Sequence, residues 1–116
     1  MLFMLIVKSS KNSEAGNRPS LELIEAMDKY NKELIEAGVR VMAKGLKPSS
    51  SGMRISYPKL AENPVITNGP FSEPENIIAG FILIEVNSKE EAIEWAMRMP
   101  DPQGEGNGQI ELREVF

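Results

Sequence analysis

The sequence predicts an α+β fold: a ferredoxin-like antiparallel sheet with two helices packed on one face. Three observations carry this. Two runs, Leu2 to Val7 and Phe81 to Val86, are almost uninterruptedly apolar, as in strands at the centre of a sheet. Two segments repeat apolar residues at helical spacing, and each follows one of those strands or precedes another. The order is therefore β-α-β, a hairpin-like middle, then β-α-β. Two such units combine into one sheet with both helices on the same side.

The first strand is Leu2 to Val7. Ser9 to Pro19 is polar, contains Gly16 and Pro19, and reads as a loop. The first helix spans Leu21 to Ala37. Ser20 is its N-cap, and Glu22 and Glu25 sit near the positive end of its dipole. Leu23, Met27, Tyr30 and Leu34 form its apolar stripe. Gly38 suits the left-handed residue that ends a helix. Val39 to Leu46 is a strand with Val41 and Ala43 on one face and Arg40, Met42, Lys44 and Leu46 on the other.

After the serine-rich turn at Pro48 to Gly52, Met53, Ile55 and Tyr57 alternate with Arg54 and Ser56 in a further strand. Val65 to Thr67 is a short one, ended by Asn68-Gly69-Pro70. Ile77 to Val86 is the second central strand. Ser88 opens the second helix, and Glu91 lies at the spacing of a capping box. Ala92, Trp95, Ala96 and Met99 form its apolar face, and Pro100 stops it. Gly104, Gly106 and Gly108 mark a mobile loop, and Gln109 to Phe116 is the closing strand.

The 116 residues suffice for one domain, spanning 1–116, with one core. At 41% hydrophobic and 26% charged, the chain has enough apolar area to fold. A net charge of −4 repels phosphate backbones, so no nucleic-acid partner is expected. With neither cysteine nor histidine, the chain has no thiol or imidazole chemistry and no disulfide, and the acidic residues show no metal spacing. Neither a metal nor a cofactor is expected. The apolar start is short and lacks a basic leader, so no membrane partner is expected and the cytoplasm is the expected location.

Two helices cover one sheet face, yet both central runs are apolar on two faces. A second copy over the open face is the simplest cover, which predicts a homodimer. The alternative is that Ser49 to Pro74 folds over it.

The stretch Val65-Ile66-Thr67-Asn68-Gly69-Pro70-Phe71-Ser72-Glu73 resembles the signature of the YCII-related DGPF proteins. So do Ala79-Gly80-Phe81-Ile82-Leu83-Ile84-Glu85-Val86 and the helix Ala92-Ile93-Glu94-Trp95-Ala96. Glu36-Ala37-Gly38 and Gly45-Leu46-Lys47-Pro48 fit as well, so the likeness spans nearly the whole chain. It implies a dimeric α+β barrel with a cleft at the subunit junction. Some YCII-like relatives use a histidine–aspartate pair as enzymes, and DGPF relatives accompany extracytoplasmic-function sigma factors. The family aspartate is Asn68 here and the chain has no histidine, so that pair is absent.

Asn68, Gly69, Pro70 and Phe71 are the candidates to line a ligand pocket. The alternative is a tight turn in which asparagine and glycine supply special backbone angles and proline stiffens them. Lys44 and Arg54, on neighbouring strands, are candidates to hold a small anion such as a carboxylate, or else two exposed cations on a sheet rim. Glu73 and Tyr57 are the candidates for proton transfer in an isomerase- or lyase-type enzyme; the plain alternatives are a solvated carboxylate and a packing side chain. Trp95 and the methionines Met4, Met27, Met42 and Met97 read as core filler. The leading reading is a dimeric small-molecule-binding domain without histidine-based catalysis. An enzyme using Glu73 or Tyr57, and an interaction module in sigma-factor signalling, are the other two.

Overall fold

The structure is a computed structural model that describes residues 1–60 and 62–116. In chain order its elements are β1 (Leu2–Lys8), α1 (Lys11–Glu14), α2 (Leu21–Glu36), β2 (Arg40–Gly45), β3 (Met53–Ser56), β4 (Val65–Asn68), β5 (Ile78–Glu85), α3 (Lys89–Arg98) and β6 (Ile110–Glu114). Short 3-10 turns lie at Ser49–Ser51 and Pro74–Asn76. The expected α+β architecture is present. β2, β5, β1 and β6 form one antiparallel sheet in that order, and β3 and β4 form a separate hairpin. The two apolar runs are the two central strands, as their composition requires. No helix is long and apolar enough to cross a membrane among the described residues.

Alternation along the strands sends Phe3 and Leu5 of β1, and Ile82 and Ile84 of β5, to the helical side. There they meet Tyr30 and Leu34 of α2 and Ala92 and Trp95 of α3. Leu5, Leu34 and Ile84 are fully buried. Ser20 caps α2 by accepting from the Leu23 N–H at 3.1 Å. Gly38, at φ +72°, turns the chain out of the helix, and the Val39 N–H then reaches back to the Leu34 carbonyl at 3.1 Å.

Tyr30 ties the two long helices together. Its hydroxyl donates to the Trp95 carbonyl at 2.6 Å, and the two rings meet edge to face at 6.3 Å. The Met99 N–H bonds Ala96 instead of Trp95, so the tyrosine serves a carbonyl near the helix end. Burial pushes the Tyr30 phenol from 10.0 up to about 12, with Arg98 opposing and Glu33 adding to the shift. The unfolded phenol ionises near 10 while the folded one keeps its proton. This contribution to stability is therefore whole below pH 10 and is lost as pH rises through about 12. Denaturation between pH 9 and 12 is expected to show a fall on the order of 2 kcal/mol that Tyr30→Phe removes.

Three local expectations are corrected, and the glycine-rich loop gains detail. The segment after β1 is not all loop: Ser10 and Ser13 form a reciprocal capping box that nucleates the single turn of α1. Val41 is the extra residue of a bulge, with Arg40 opposite Ile84 and Met42 opposite Leu83. Arg40 and Ala43 therefore share the helical side, and the Arg40 guanidinium donates to Asn31 of α2 at 3.1 Å. At α3, Ser88 accepts from the Glu91 N–H, but the Glu91 carboxylate accepts from Asn87, one residue before the cap. The glycine-rich loop is organised around Asp101, whose carboxylate accepts from the Gln103 and Gly106 N–H groups at 2.9 and 2.6 Å.

Candidate functional site

The chain crosses one end of the sheet at four places: after β1, after β2, before β5 and before β6. The loops gathered there are joined by one cluster of hydrogen bonds. It begins with Glu14, which the single turn of α1 brings next to the 3-10 turn after β2. Its carboxylate accepts from the Ser49 backbone N–H at 2.9 Å and from the Ser49 hydroxyl. The same hydroxyl oxygen accepts the Phe71 N–H at 3.0 Å. Ser49 is buried, so these partners replace the water its polar groups would otherwise bind.

Gly69 completes the cluster. Its N–H donates to the Gly52 carbonyl at 2.9 Å, continuing the β3–β4 ladder towards the body. A Cβ on Gly69 would lie 1.7 Å from the Ser49 carbonyl oxygen. Its φ is not in the left-handed region, and neither is that of Asn68. The expectation that Asn68 and Gly69 supply turn angles is thus corrected: Asn68 is the last residue of β4, and Gly69 is needed for close approach. The Gly69–Pro70 bond is cis.

Phe71, half-buried, leaves the cluster with its ring beneath Arg54, whose guanidinium carbon is 3.9 Å from the ring centroid. The candidate residues Arg54, Asn68, Gly69, Pro70 and Phe71 thus lie together at the base of the hairpin. Lys44 is on the other sheet, exposed and opposite Phe81, whereas Arg54 stands opposite Thr67. Glu73 is exposed, in the left-handed region at φ +63°, and its carboxylate accepts from the Asn76 amide at 2.9 Å. Tyr57 is 76% exposed, just past the end of β3. Neither proton-transfer candidate is sunk in a cleft of this chain.

Beside the cluster, Asn12 and Ser13 of α1 line a polar recess of about 500 Å³ with Arg18, Ser20, Gln103 and Glu105. Among the described residues no group of histidine, cysteine, aspartate and glutamate is placed to hold a metal ion.

Glu14 and Ser49 were not among the candidates read from the sequence. They are 35 residues apart, and no periodicity links them. The available signal was chemical: three serines follow Pro48, and the first falls at the start of a turn, where a hydroxyl is placed to bond backbone.

No curated protein matches the chain. Among solved structures it is similar to a 5-chloro-2-hydroxyhydroquinone dehydrochlorinase from Burkholderia phenoliruptrix AC1100, determined in complex with 2,5-dihydroxybenzoquinone. The TM-score is 0.55 at 12% identity, and the alignment covers 100% of this chain and 94% of that one. At that identity the likeness establishes the fold. The model of the YCII-related domain matches residues 1–116, and the chain belongs to that family.

Proposed function

We propose that the chain is a homodimeric small-molecule-binding domain, its cleft formed where the open sheet faces of two copies meet. The observation that carries this is the side of the sheet away from the helices. Met4 and Ile6 of β1, Phe81 and Leu83 of β5, and Met42 of β2 share that side by register; the first four are half-buried, Met42 is exposed, and none belongs to the core that the helices cover. An apolar belt of this kind calls for a cover, and a two-fold pair of identical belts supplies one. Lys44 and Arg113 border it on opposite edge strands. The similar fold of an enzyme held with a small oxygen-rich ring compound supports a small-molecule role.

The ligand we propose is a small organic anion, with Arg54 and the adjoining wall of Asn68, Gly69, Pro70 and Phe71 as one part of its site and Lys44, on the other sheet, as a second cationic contact. Arg54 is pre-oriented by its stack on Phe71, so less side-chain freedom is lost when it binds. Light scattering coupled to size exclusion tests the assembly: twice the 12.9 kDa chain mass is expected, and a monomer overturns it. A calorimetric screen of small aliphatic and aromatic carboxylates tests the ligand. Lys44→Ala and Arg54→Ala are each expected to weaken binding by about 10-fold or more, the scale of a lost charged hydrogen bond. Binding unaffected by both changes overturns the anion site.

A further inference from the structure

We infer that Asn107 is a site of spontaneous deamidation, driven by the backbone nitrogen of Gly108, and that the fold shields Asn68 from the same reaction. The sequence has two Asn-Gly pairs, Asn68-Gly69 and Asn107-Gly108. In this chemistry the main-chain nitrogen of the following residue gives up its proton to solvent and attacks the asparagine Cγ. A nitrogen–carbon bond forms, the bond from Cγ to the side-chain nitrogen breaks, and ammonia leaves. Water then opens the cyclic imide at either carbonyl, giving aspartate or isoaspartate. Water and an amide are consumed, a carboxylate and ammonia are produced, and nothing is oxidised or reduced. Glycine is the follower that permits it best, because no Cβ obstructs ring closure and its backbone turns freely.

The loop between α3 and β6 selects this pair for reasons of its own. Asn107 lies at φ +67°, in the left-handed region, where asparagine is among the few residues other than glycine that are tolerated. A Cβ on Gly108 would lie 1.8 Å from Oδ1 of Asp101 and 2.8 Å from Cδ of Pro102. That carboxylate oxygen cannot swing away without giving up the Gln103 N–H, one of the bonds that hold the loop. Asparagine at 107 and glycine at 108 are thus both set by the shape of the loop, and together they make the reactive pair. The Asn107 side chain is exposed, and the Gly108 N–H donates to no acceptor among the described residues. The attacking nitrogen is free and its target is open to water.

Asn68 is exposed as well, so access does not separate the two sites. The backbone does. Asn68 is the last residue of β4 and pairs with Met53. The Gly69 N–H is committed to the Gly52 carbonyl at 2.9 Å, and Gly69 sits so close to the Ser49 carbonyl that its segment cannot rotate towards Cγ. Conversion at Asn107, by contrast, alters a loop that lines the polar recess. It adds one negative charge to the net −4, beside Asp101 and Glu105. Isoaspartate also lengthens the main chain by one carbon. The extra atom falls between Gly106, bonded to Asp101, and Gln109, whose carbonyl accepts the Lys8 N–H at 3.1 Å. Gln103, which lines the recess, donates its amide to the Asn107 carbonyl at 3.3 Å and moves with it.

The test uses the unmodified chain, so no folding defect disturbs it. The chain is held in mildly alkaline buffer made with heavy-oxygen water, then digested in mild acid, where the imide forms slowly, and each asparagine is read by mass spectrometry. In the folded chain Asn107 is expected to convert about 10-fold or more faster than Asn68, the scale of a broken hydrogen bond with a local opening. Its product is expected to carry one heavy oxygen and to be a mixture of aspartate and isoaspartate. In urea, where both glycine nitrogens are free, the two rates are expected to come within about 3-fold. An Asn107 that stays intact in the folded chain overturns the site. Equal conversion of Asn68 and Asn107 in the folded chain overturns the shielding, as does a difference that persists unchanged in urea. A product at position 107 that is aspartate alone overturns attack by the Gly108 nitrogen.

Discussion

Gly69→Ala is expected to lower stability by about 3 kcal/mol or more, the scale of a strong overpacking defect in a place that cannot relax. The new methyl would lie 1.7 Å from the Ser49 carbonyl oxygen and 2.6 Å from its carbon. Backbone does not swing aside as a long side chain does. Ser49 is also held on its other side, by Glu14 through N–H and hydroxyl and by the Phe71 N–H. Relief therefore requires parting the Gly69 segment from the Ser49 turn, with loss of the Gly69–Gly52 and Phe71–Ser49 hydrogen bonds. Chemical denaturation measures the loss, and binding of any carboxylate identified in the screen is expected to fall with it. A change under 0.5 kcal/mol would show that the close approach is not a feature of the folded state.

Glu14→Ala is the second large effect. It removes the acceptor of both the Ser49 N–H and the Ser49 hydroxyl, in a buried residue. Losing an acceptor that leaves buried donors unsatisfied costs about 2–4 kcal/mol, more than the mean worth of a hydrogen bond. Glu14→Gln keeps one carbonyl oxygen for these donors and is expected to lose about half as much. Ser49→Ala removes the hydroxyl but leaves the Phe71 N–H without its acceptor. Because the three groups act through one oxygen, Glu14→Ala and Ser49→Ala together are expected to cost less than their sum. A double-mutant cycle by urea denaturation reads the coupling, and strict additivity would show that the cluster is not a unit.

The parts of this fold legible in the sequence are those governed by near neighbours. The apolar runs of β1 and β5, the helical spacing of Tyr30 and Leu34, and the caps at Ser20 and Ser88 each act within a few residues, and each appears where it was expected. The site was legible in part. Val65 to Glu73 stood out by its residue types, yet the need for Gly69 lies in Ser49, twenty residues earlier and brought near only by folding. The Val41 bulge was illegible because alternation over six residues reads the same whether or not one residue is unpaired. Asp101 read as ordinary loop, since the N–H groups it binds become convergent only once the loop has turned.

The bulge at Val41 also bears on how the sheet meets other molecules. β2 and β6 are the two rims of the sheet, and a rim with regular, unpaired backbone is a template for the next strand of a neighbouring molecule. On β2 the unpaired Val41 breaks that regularity, and Arg40 and Lys44 flank it with like charge. On β6 three of five residues, Glu111, Arg113 and Glu114, are charged. Addition of strands side by side, which would extend into fibres, is disfavoured at both rims. For the pairing proposed above this leaves the broad side of the sheet, where a contact made by a two-fold axis closes after two chains.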